Sequence, residues 1–236
     1  MENFTSTFGN SAANALPEQR ASFIRKTYLL LAAAILGFIV VEAGLFMSGA
    51  ASLIAYGIFG TGGVGWLVVL GLFMLISYMA NKWAVSESST AVQYLGLAVY
   101  VVAEALIFVP LIFLSMYYSN DPTVVVKAGV VTVGLFLGIT ATVFLTRTDF
   151  SFLAPILAIG GFAALGFIVA SILFGFTLGN VFAFIMVAFA GTAILYNTSN
   201  VLHRFNTNQH VAAALTLFAS IALLFWYILR IFTSRR

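Results

Sequence analysis

The chain of 236 residues contains no cysteine, only two histidines and very few charged residues. Without cysteine it can form no disulfide bond, no thiolate metal site and no thiol nucleophile. Charged residues make up 7% of the chain, whereas a soluble domain carries about 25%. Apolar residues make up 62%, including 24 phenylalanines, and the mean hydropathy is +1.10. The composition therefore predicts a protein that is embedded in lipid.

Seven apolar runs have about the length of a helix that crosses a bilayer, roughly 20 residues. They lack the alternation of polar and apolar residues that a membrane β-barrel strand shows over about ten positions. We therefore predict an all-α integral membrane protein with a single seven-helix domain over residues 28–232. A polar tail precedes this domain at residues 1–27, and a basic tail follows it at residues 233–236. The predicted spans are residues 28–48, 65–80, 91–118, 124–146, 151–174, 180–202 and 211–232.

The positions of lysine and arginine predict the orientation, because cytoplasmic loops are enriched in both. The N-terminal tail lacks the short apolar region and the cleavage site of a secretory signal. The first run is therefore predicted to be an uncleaved span whose N-terminus is cytoplasmic. Lys127 and the arginines at the C-terminus fall on the opposite side. The basic residues of the cytoplasmic side are then Arg20, Arg25, Lys26, Lys82, Arg147 and Arg204.

Two carboxylates interrupt the predicted spans, Glu42 in the first and Glu104 in the third. At 1.5 Å per residue, both lie about 20 Å from the cytoplasmic edge, so they are expected to share one polar layer. A carboxylate in a membrane costs roughly 3 kcal/mol or more and usually marks a pathway. Tyr100 lies one helical turn from Glu104 on the same face. These three residues are candidate pathway residues, and the alternative is that each carboxyl group is protonated and only links helices.

The sixth predicted span ends in a polar face, which either lines a cytoplasmic vestibule or marks a helix leaving the bilayer. His203 and His210 flank the loop that follows, but no further metal ligands lie close, so we predict no metal site and no cofactor. No serine nucleophile with a base and an orienting acid can be assembled, so the chain is not predicted to be an enzyme. The residues of the polar face are Tyr196, Asn197, Asn200, His203 and Arg204.

Two glycine patterns also occur in the chain. Residues 60–65 match GxGxxG, a nucleotide-binding pattern that requires a strand followed by a helix. Here the pattern is expected in an external loop between two spans, so it does not predict nucleotide binding. Gly134 and Gly138 form a GxxxG motif in the fourth span, which is predicted to pack closely against a neighbouring helix inside the bundle.

The connection between the fourth and fifth spans resembles a family signature. Residues 146–153 resemble the T-K-R-D-F-S motif of the Bax inhibitor-1 (transmembrane Bax inhibitor motif) family. Residues 194–203 are similar to the LYDT region of the same family, and further likeness extends over essentially the whole chain. The signature positions are Arg147, Asp149, Phe150 and Ser151.

This resemblance implies a bundle of six helices around a central seventh, the last helix of the chain. In the calcium-leak members of the family, two aspartates on the sixth and seventh helices share a proton and form a pH-sensitive latch. The resemblance places these aspartates at Asn197 and Ser220, neither of which titrates in the physiological range. This departure is similar to a bacterial branch related to the YccA proteins, whose members are associated with the membrane-anchored protease FtsH.

The resemblance implies two alternative functions. The first is a leak pathway for calcium ions or protons, with a role in stress responses, in which Glu104 and Glu42 supply the carboxylates. The second is a non-transporting modulator of a membrane protease of the FtsH type, bound through the N-terminal tail. The expected location is a bacterial inner membrane, and the lipid bilayer is the expected partner. The net charge of +3 follows from the topology and indicates no nucleic-acid partner.

Overall fold

The computed structural model describes residues 11–85, 89–119 and 121–234. Within these ranges the chain forms eight α-helices and one 3₁₀ turn, which spans Ser151–Leu153. The α-helices are α1 (Pro17–Met47), α2 (Ala50–Gly60), α3 (Gly62–Val85), α4 (Thr90–Tyr118), α5 (Val124–Thr146), α6 (Ala154–Phe174), α7 (Gly179–His203) and α8 (His210–Thr233).

In the described part of the chain, seven helices are long and apolar enough to cross a membrane. They include every helix except α2, and they confirm the predicted all-α membrane fold. The short helix α2 was not predicted. It packs against α4 through Ala51 and Ala55, which join a cluster with Val109 and Phe113.

The glycine-rich segment between α2 and α3 is helical rather than an extended external loop. Gly60 ends α2, and α3 begins at Gly62 with its backbone in the left-handed region, at φ 62°. The prediction of a loop for residues 60–65 was therefore wrong. The segment is a tight junction between two apolar helices, where glycine is favoured because it lacks a Cβ atom.

Helix α8 lies at the centre of the bundle. Of the most apolar 18 residues of each long helix, 72% are buried in α8 and 67% in α4, against 28% or fewer in the others. Helix α8 contacts α1, α3, α4, α5 and α7. Three consecutive alanines near its start, Ala212 to Ala214, are buried and let neighbouring backbones approach. The prediction that the last helix is central is confirmed.

The bundle has two ends. The N-terminal face holds the start of α1 and the loop between α7 and α8, and the opposite face holds the end of α8. At the N-terminal face, the backbone N–H of Ala12 donates a 2.8 Å hydrogen bond to the carbonyl oxygen of Phe205. Ser11 forms an isolated β-bridge with Asn206. The described part of the predicted N-terminal tail, from residue 11, is thus attached to the α7–α8 loop. Residues 1–10 of this tail and residues 235–236 of the predicted C-terminal tail lie outside the described residues.

A close contact between two helix backbones involves a different glycine from those in the GxxxG motif. A Cβ atom added at Gly134 or Gly138 would meet no atom within 4 Å, so both glycines face outward. The prediction that they pack inside the bundle was therefore wrong. A Cβ atom at Gly96 of α4 would instead lie 2.7 Å from the carbonyl oxygen of Ala80 in α3. Gly96 is the residue that allows α3 and α4 to pack backbone against backbone.

Candidate functional site

Glu104 is the buried acidic group at the midpoint of α4. Its side chain is only 6% exposed. The hydroxyl of Tyr100, one helical turn earlier, donates a hydrogen bond of 2.8 Å to Oε1 of Glu104. The structure therefore brings two of the three candidate pathway residues into direct contact, at the i, i+4 spacing that places side chains on one helix face.

A cavity of about 690 Å³ lies beside this pair, between α3, α4, α6 and α8. Glu104 and Tyr100 line one part of it, and Arg230 of α8 lines another. Residues 176–178, in the connection between α6 and α7, also contribute to the wall. The remaining wall is rich in aromatic side chains, which include Trp66, Phe73, Phe108, Trp226 and Tyr227.

Ring contacts fix the depth of Glu104 relative to α8. Tyr100 packs against Phe218 with 6.1 Å between ring centroids, and Phe108 stacks on Phe225 at 5.5 Å. Glu104 lies midway between Tyr100 and Phe108, so it is level with the part of α8 around Ala222. Arg230 lies eight residues further along α8, which is about 12 Å at 1.5 Å per residue. The cavity thus extends from mid-bundle toward the opposite face.

Polar groups continue from Tyr100 toward the N-terminal face. The hydroxyl of Ser77 in α3 lies beside the hydroxyl of Tyr100, outside standard hydrogen-bond geometry. The side-chain amide of Asn81, one turn further along α3, donates a 2.8 Å hydrogen bond to the carbonyl oxygen of Ser77. The polar side chains of Ser77 and Asn81 therefore lie between Tyr100 and the N-terminal face, on the side of Glu104 that the cavity does not reach.

Glu42 is buried in a different part of the bundle. Its two carboxylate oxygens have no hydrogen-bond partner, and it does not line the cavity. Phe38, one turn before Glu42, packs against Phe108 at 5.2 Å, and Phe108 itself lies one turn beyond Glu104. The two carboxyl groups are thus about 12 Å apart in depth, with aromatic rings between them. The structure does not place them in the single polar layer that the sequence predicted.

The polar end of α7 turns toward the bundle interior. The side-chain amide of Asn197 donates a hydrogen bond of 2.8 Å to Oγ of Ser220 in α8. It also donates a longer bond of 3.4 Å to the carbonyl oxygen of Thr216. Nearer the N-terminal face, Oδ1 of Asn200 and Nε2 of His203 are buried without a partner. Asn197 and Ser220 therefore form a neutral cross-link between α7 and the central helix.

The signature segment between α5 and α6 is held by backbone hydrogen bonds. Arg147 follows the last residue of α5 as its C-cap and has a left-handed backbone conformation, at φ 53°. The backbone N–H of Phe150 donates to Oγ of Ser199 in α7 at 2.9 Å. The backbone N–H of Ser151 donates to Oδ1 of Asp149, also at 2.9 Å. The motif thus shapes a tight connection and attaches it to α7, away from the cavity.

Comparison with known proteins decides the family. Residues 20–236 match the family described as inhibitor of apoptosis-promoting Bax1. The chain belongs to the Bax inhibitor-1 family. An uncharacterized protein of Pseudomonas aeruginosa is 30% identical over 166 residues, which cover 69% of each chain.

Two further relatives come from a virus and a plant. The Golgi anti-apoptotic protein of Vaccinia virus is 27% identical over 242 residues, covering 95% of this chain and 90% of the viral protein. Protein LIFEGUARD 3 of Arabidopsis thaliana is 27% identical over 223 residues, covering 91% and 85% of the two chains. No solved structure matches the chain significantly. The similarity to these two proteins extends over most of the bundle.

For this Bax inhibitor-1 protein, the cross-link between Asn197 and Ser220 lies where the resemblance places the two aspartates of the latch. The hydrogen bond between these neutral groups needs no shared proton. The contact between Ser199 and Phe150 and the cavity beside Glu104 were not predicted from the sequence. A serine in an apolar helix and an apolar lining give no signal in the sequence that distinguishes them from ordinary core residues.

Asp149 provides a pH-dependent test of the signature motif. The hydrogen bond from the backbone N–H of Ser151 lowers the pKa of Asp149, and the charges of Arg204 and His203 lower it further. A lowered pKa contributes stability above the unfolded value of about 4, which is lost as the pH falls through the folded value. Because the site is exposed, Asp149→Ala is expected to lower the free energy of unfolding at pH 7 by less than about 1 kcal/mol.

Thermal unfolding of the purified protein from neutral to acidic pH measures this effect. The difference between the wild type and Asp149→Ala should shrink as the pH falls below about 4. Asp149→Asn keeps the hydrogen-bond acceptor but removes the charge, so it should be destabilised less. A difference that stays constant at every pH would contradict the assigned role of the carboxylate.

Proposed function

We propose that the protein is a leak pathway for protons, in which the carboxyl group of Glu104 carries the proton at the inner end of the cavity. The observation that supports this proposal is the burial of Glu104 at mid-bundle, where it lines a cavity of about 690 Å³ and accepts a hydrogen bond from Tyr100. Ionisable side chains inside membrane proteins are costly and commonly mark proton relays. The role proposed here is therefore permeation rather than catalysis.

The chemistry of the cavity favours protons over calcium ions. Calcium takes six to eight oxygen ligands, several of them carboxylates. Among its described lining residues the cavity has one carboxylate, from Glu104, and the guanidinium of Arg230 adds a positive charge. The described part of the chain also holds no group of three or more acidic, histidine or cysteine side chains that could bind a metal ion. A proton needs only a chain of hydrogen-bonding groups.

Ser77 and Asn81 of α3 place polar side chains between Tyr100 and the N-terminal face. Their described hydrogen bonds do not reach Tyr100, so water molecules would complete the chain for the proton. The cross-link between Asn197 and Ser220 holds α7 against α8, and neither side chain changes its charge near neutral pH. We therefore propose a leak that depends on Glu104 and lacks a pH-operated latch between α7 and α8.

Flux measurements in liposomes test the proposal. Purified protein is reconstituted with a pH-sensitive dye inside the vesicles, and a membrane potential is applied with potassium and valinomycin. We expect proton influx above that of protein-free vesicles. Glu104→Gln should reduce it to the protein-free level, because an amide cannot take up and release the proton. The matched control is Glu18→Gln, which changes an exposed carboxylate at the start of α1 and should leave the flux unchanged.

The same vesicles loaded with a calcium dye separate the two ions. Calcium influx that Glu104→Gln abolishes would overturn the preference for protons. An absence of proton and calcium flux in wild-type vesicles would overturn the permeation proposal. It would favour the alternative, a non-transporting modulator of a membrane protease of the FtsH type. That alternative places the binding segment in the N-terminal tail, of which the residues from Ser11 onward are attached to the bundle.

We further propose that the N-terminal face lies in the cytoplasm and that the membrane is a bacterial inner membrane. Six basic side chains belong to this face, whereas the opposite face holds Lys127 and Arg230 among its described residues. Lys127 is paired with Asp121 at 2.7 Å, which offsets its charge. This pairing lowers the pKa of Asp121 from its ordinary value. The distribution of basic residues agrees with the preference of lysine and arginine for cytoplasmic loops.

A further inference from the structure

We propose that the cavity between α3, α4, α6 and α8 is a binding site for a lipophilic organic cation, whose charge lies beside Glu104. The ligand class is a bulky monovalent cation with aromatic or apolar substituents. This binding goes beyond the proposed proton leak and does not require it, since a ligand can bind in a cavity that conducts nothing.

The dimensions of the cavity suit a ligand of this kind. Its volume of about 690 Å³ lies within the range of roughly 300–1,000 Å³ that is typical of small-molecule sites. It extends about 12 Å from the level of Glu104 to Arg230. The opening is thus deep enough to hold a molecule of several rings with its charged centre at the inner end.

The wall of the cavity is rich in aromatic side chains. Trp66 stacks on Trp226 with 6.1 Å between ring centroids, and Phe108 packs edge-on against Trp226 at 5.0 Å. Phe73 lies against Tyr100 at 6.1 Å. Aromatic side chains attract organic cations through the negative faces of their rings. Cages of aromatic side chains commonly recognise quaternary ammonium groups. An inorganic cation would instead require several oxygen ligands, which these side chains do not offer.

The carboxyl group of Glu104, once it has released its proton, supplies the opposite charge at the inner end. Tyr100 binds Oε1 of Glu104, and the second oxygen is left for the cavity that Glu104 lines. Charges attract each other more strongly in a surrounding of low polarity than in water. Arg230 lies about 12 Å further along α8, so the carboxyl group of Glu104 is the nearer ionisable group at the inner end. The negative charge therefore dominates the inner end, where the cation is expected to bind.

Tetraphenylphosphonium is a suitable probe, and tryptophan fluorescence is a suitable signal. Two of the three tryptophans of the chain, Trp66 and Trp226, line the cavity. Addition of the probe to the purified full-length protein is expected to change the fluorescence in a saturable way. Equilibrium dialysis should show one bound cation per chain. Triphenylphosphine oxide, a neutral compound with similar rings, should bind at least about tenfold more weakly because it lacks the charge.

Variants at the two buried carboxyl groups provide the decisive comparison. Glu104→Gln should weaken binding about tenfold or more, because the charge is removed. Glu104→Asp keeps the charge and should bind the probe. Glu42→Gln changes a buried carboxyl group outside the cavity and should bind like the wild type. Thermal unfolding without the probe verifies that each variant is folded.

Equal binding by Glu104→Gln and the wild type, or equal binding of the charged and neutral compounds, would overturn the inference. The result is independent of the proton leak. A wild-type protein that binds the cation but conducts no protons would overturn the permeation proposal alone. A protein that conducts protons but binds no cation would overturn this inference alone.

Discussion

Gly96→Leu is expected to destabilise the bundle strongly. A Cβ atom at this position would lie 2.7 Å from the carbonyl oxygen of Ala80 and 3.2 Å from the backbone nitrogen of Ala84. Both are backbone atoms of α3, so they cannot rotate away as a flexible side chain would. Overpacking a tight interface costs about 1–3 kcal/mol or more, against a total stability of about 5–15 kcal/mol for a typical domain. A leucine adds further atoms to a contact that already lacks space for a methyl group.

Gly138→Leu is the matched control, because a Cβ atom at Gly138 would meet no atom within 4 Å. Size-exclusion chromatography in detergent and thermal unfolding of both variants measure the effect. We expect Gly138→Leu to elute and unfold like the wild type, and Gly96→Leu to unfold at a clearly lower temperature and to aggregate more. A folded Gly96→Leu protein with an unchanged unfolding temperature would show that α3 and α4 do not pack as described.

A second large effect is expected when Asn197 and Ser220 are both replaced by aspartate. Their side chains lie 2.8 Å apart in the wild type, so two carboxyl groups at these positions would share a single proton. Removal of that proton would leave an uncompensated second charge inside the bundle, at a cost of about 3 kcal/mol or more. A loss of that size lowers the unfolding temperature by roughly 6–12 °C in a chain of this length.

The sign of this effect follows from proton binding. The folded double variant holds a proton that the unfolded chain has already released near neutral pH, so its stability falls as the pH rises. The unfolding temperature is measured between about pH 5 and 8, where the wild-type pair carries no charge and should give no such dependence. Each single aspartate variant serves as a control for burial alone, so its stability should also fall as the pH rises, but by less than that of the double variant. A double variant with the same unfolding temperature at about pH 5 and about pH 8 would contradict the contact between α7 and α8.

The spans could be predicted from the sequence because few backbone conformations are stable in lipid. Every backbone polar group in a membrane must be hydrogen-bonded within the protein, so an apolar run of sufficient length forms a helix. The predicted span 124–146 coincides with α5. Helix α2 was missed because its 11 residues are too few to span and lie between two longer runs.

The direction in which each helix faces could not be predicted equally well. In a soluble protein the apolar face marks the core, but here both lipid and core are apolar. Gly134 and Gly96 therefore look alike in the sequence, although one faces outward and the other lies against α3. A GxxxG motif allows a neighbouring helix to approach closely. Only the packing of the whole bundle determines whether a neighbouring helix lies against the motif.

The candidate site was predictable where it depends on one helix. Glu104 and Tyr100 are one turn apart on α4, and their hydrogen bond follows from that spacing. The cavity depends on the positions of α3, α6 and α8 relative to α4, which no local pattern specifies. The predicted depth of Glu42 relative to Glu104 was wrong, because residues were counted from the start of each apolar run and these starts do not lie at the same level in the bundle. The contact between Phe38 and Phe108 shows the actual alignment of α1 and α4.

The central position of α8 has a consequence for the order of assembly. This helix leaves the ribosome after all the others, since synthesis proceeds from the N-terminus. It nevertheless occupies the middle of the bundle, where it contacts five other helices. The earlier spans must therefore remain loosely associated in the lipid until α8 arrives, and they can close only around it. Any truncation before His210 would thus remove the interior of the molecule and leave the earlier helices without the surface on which they assemble.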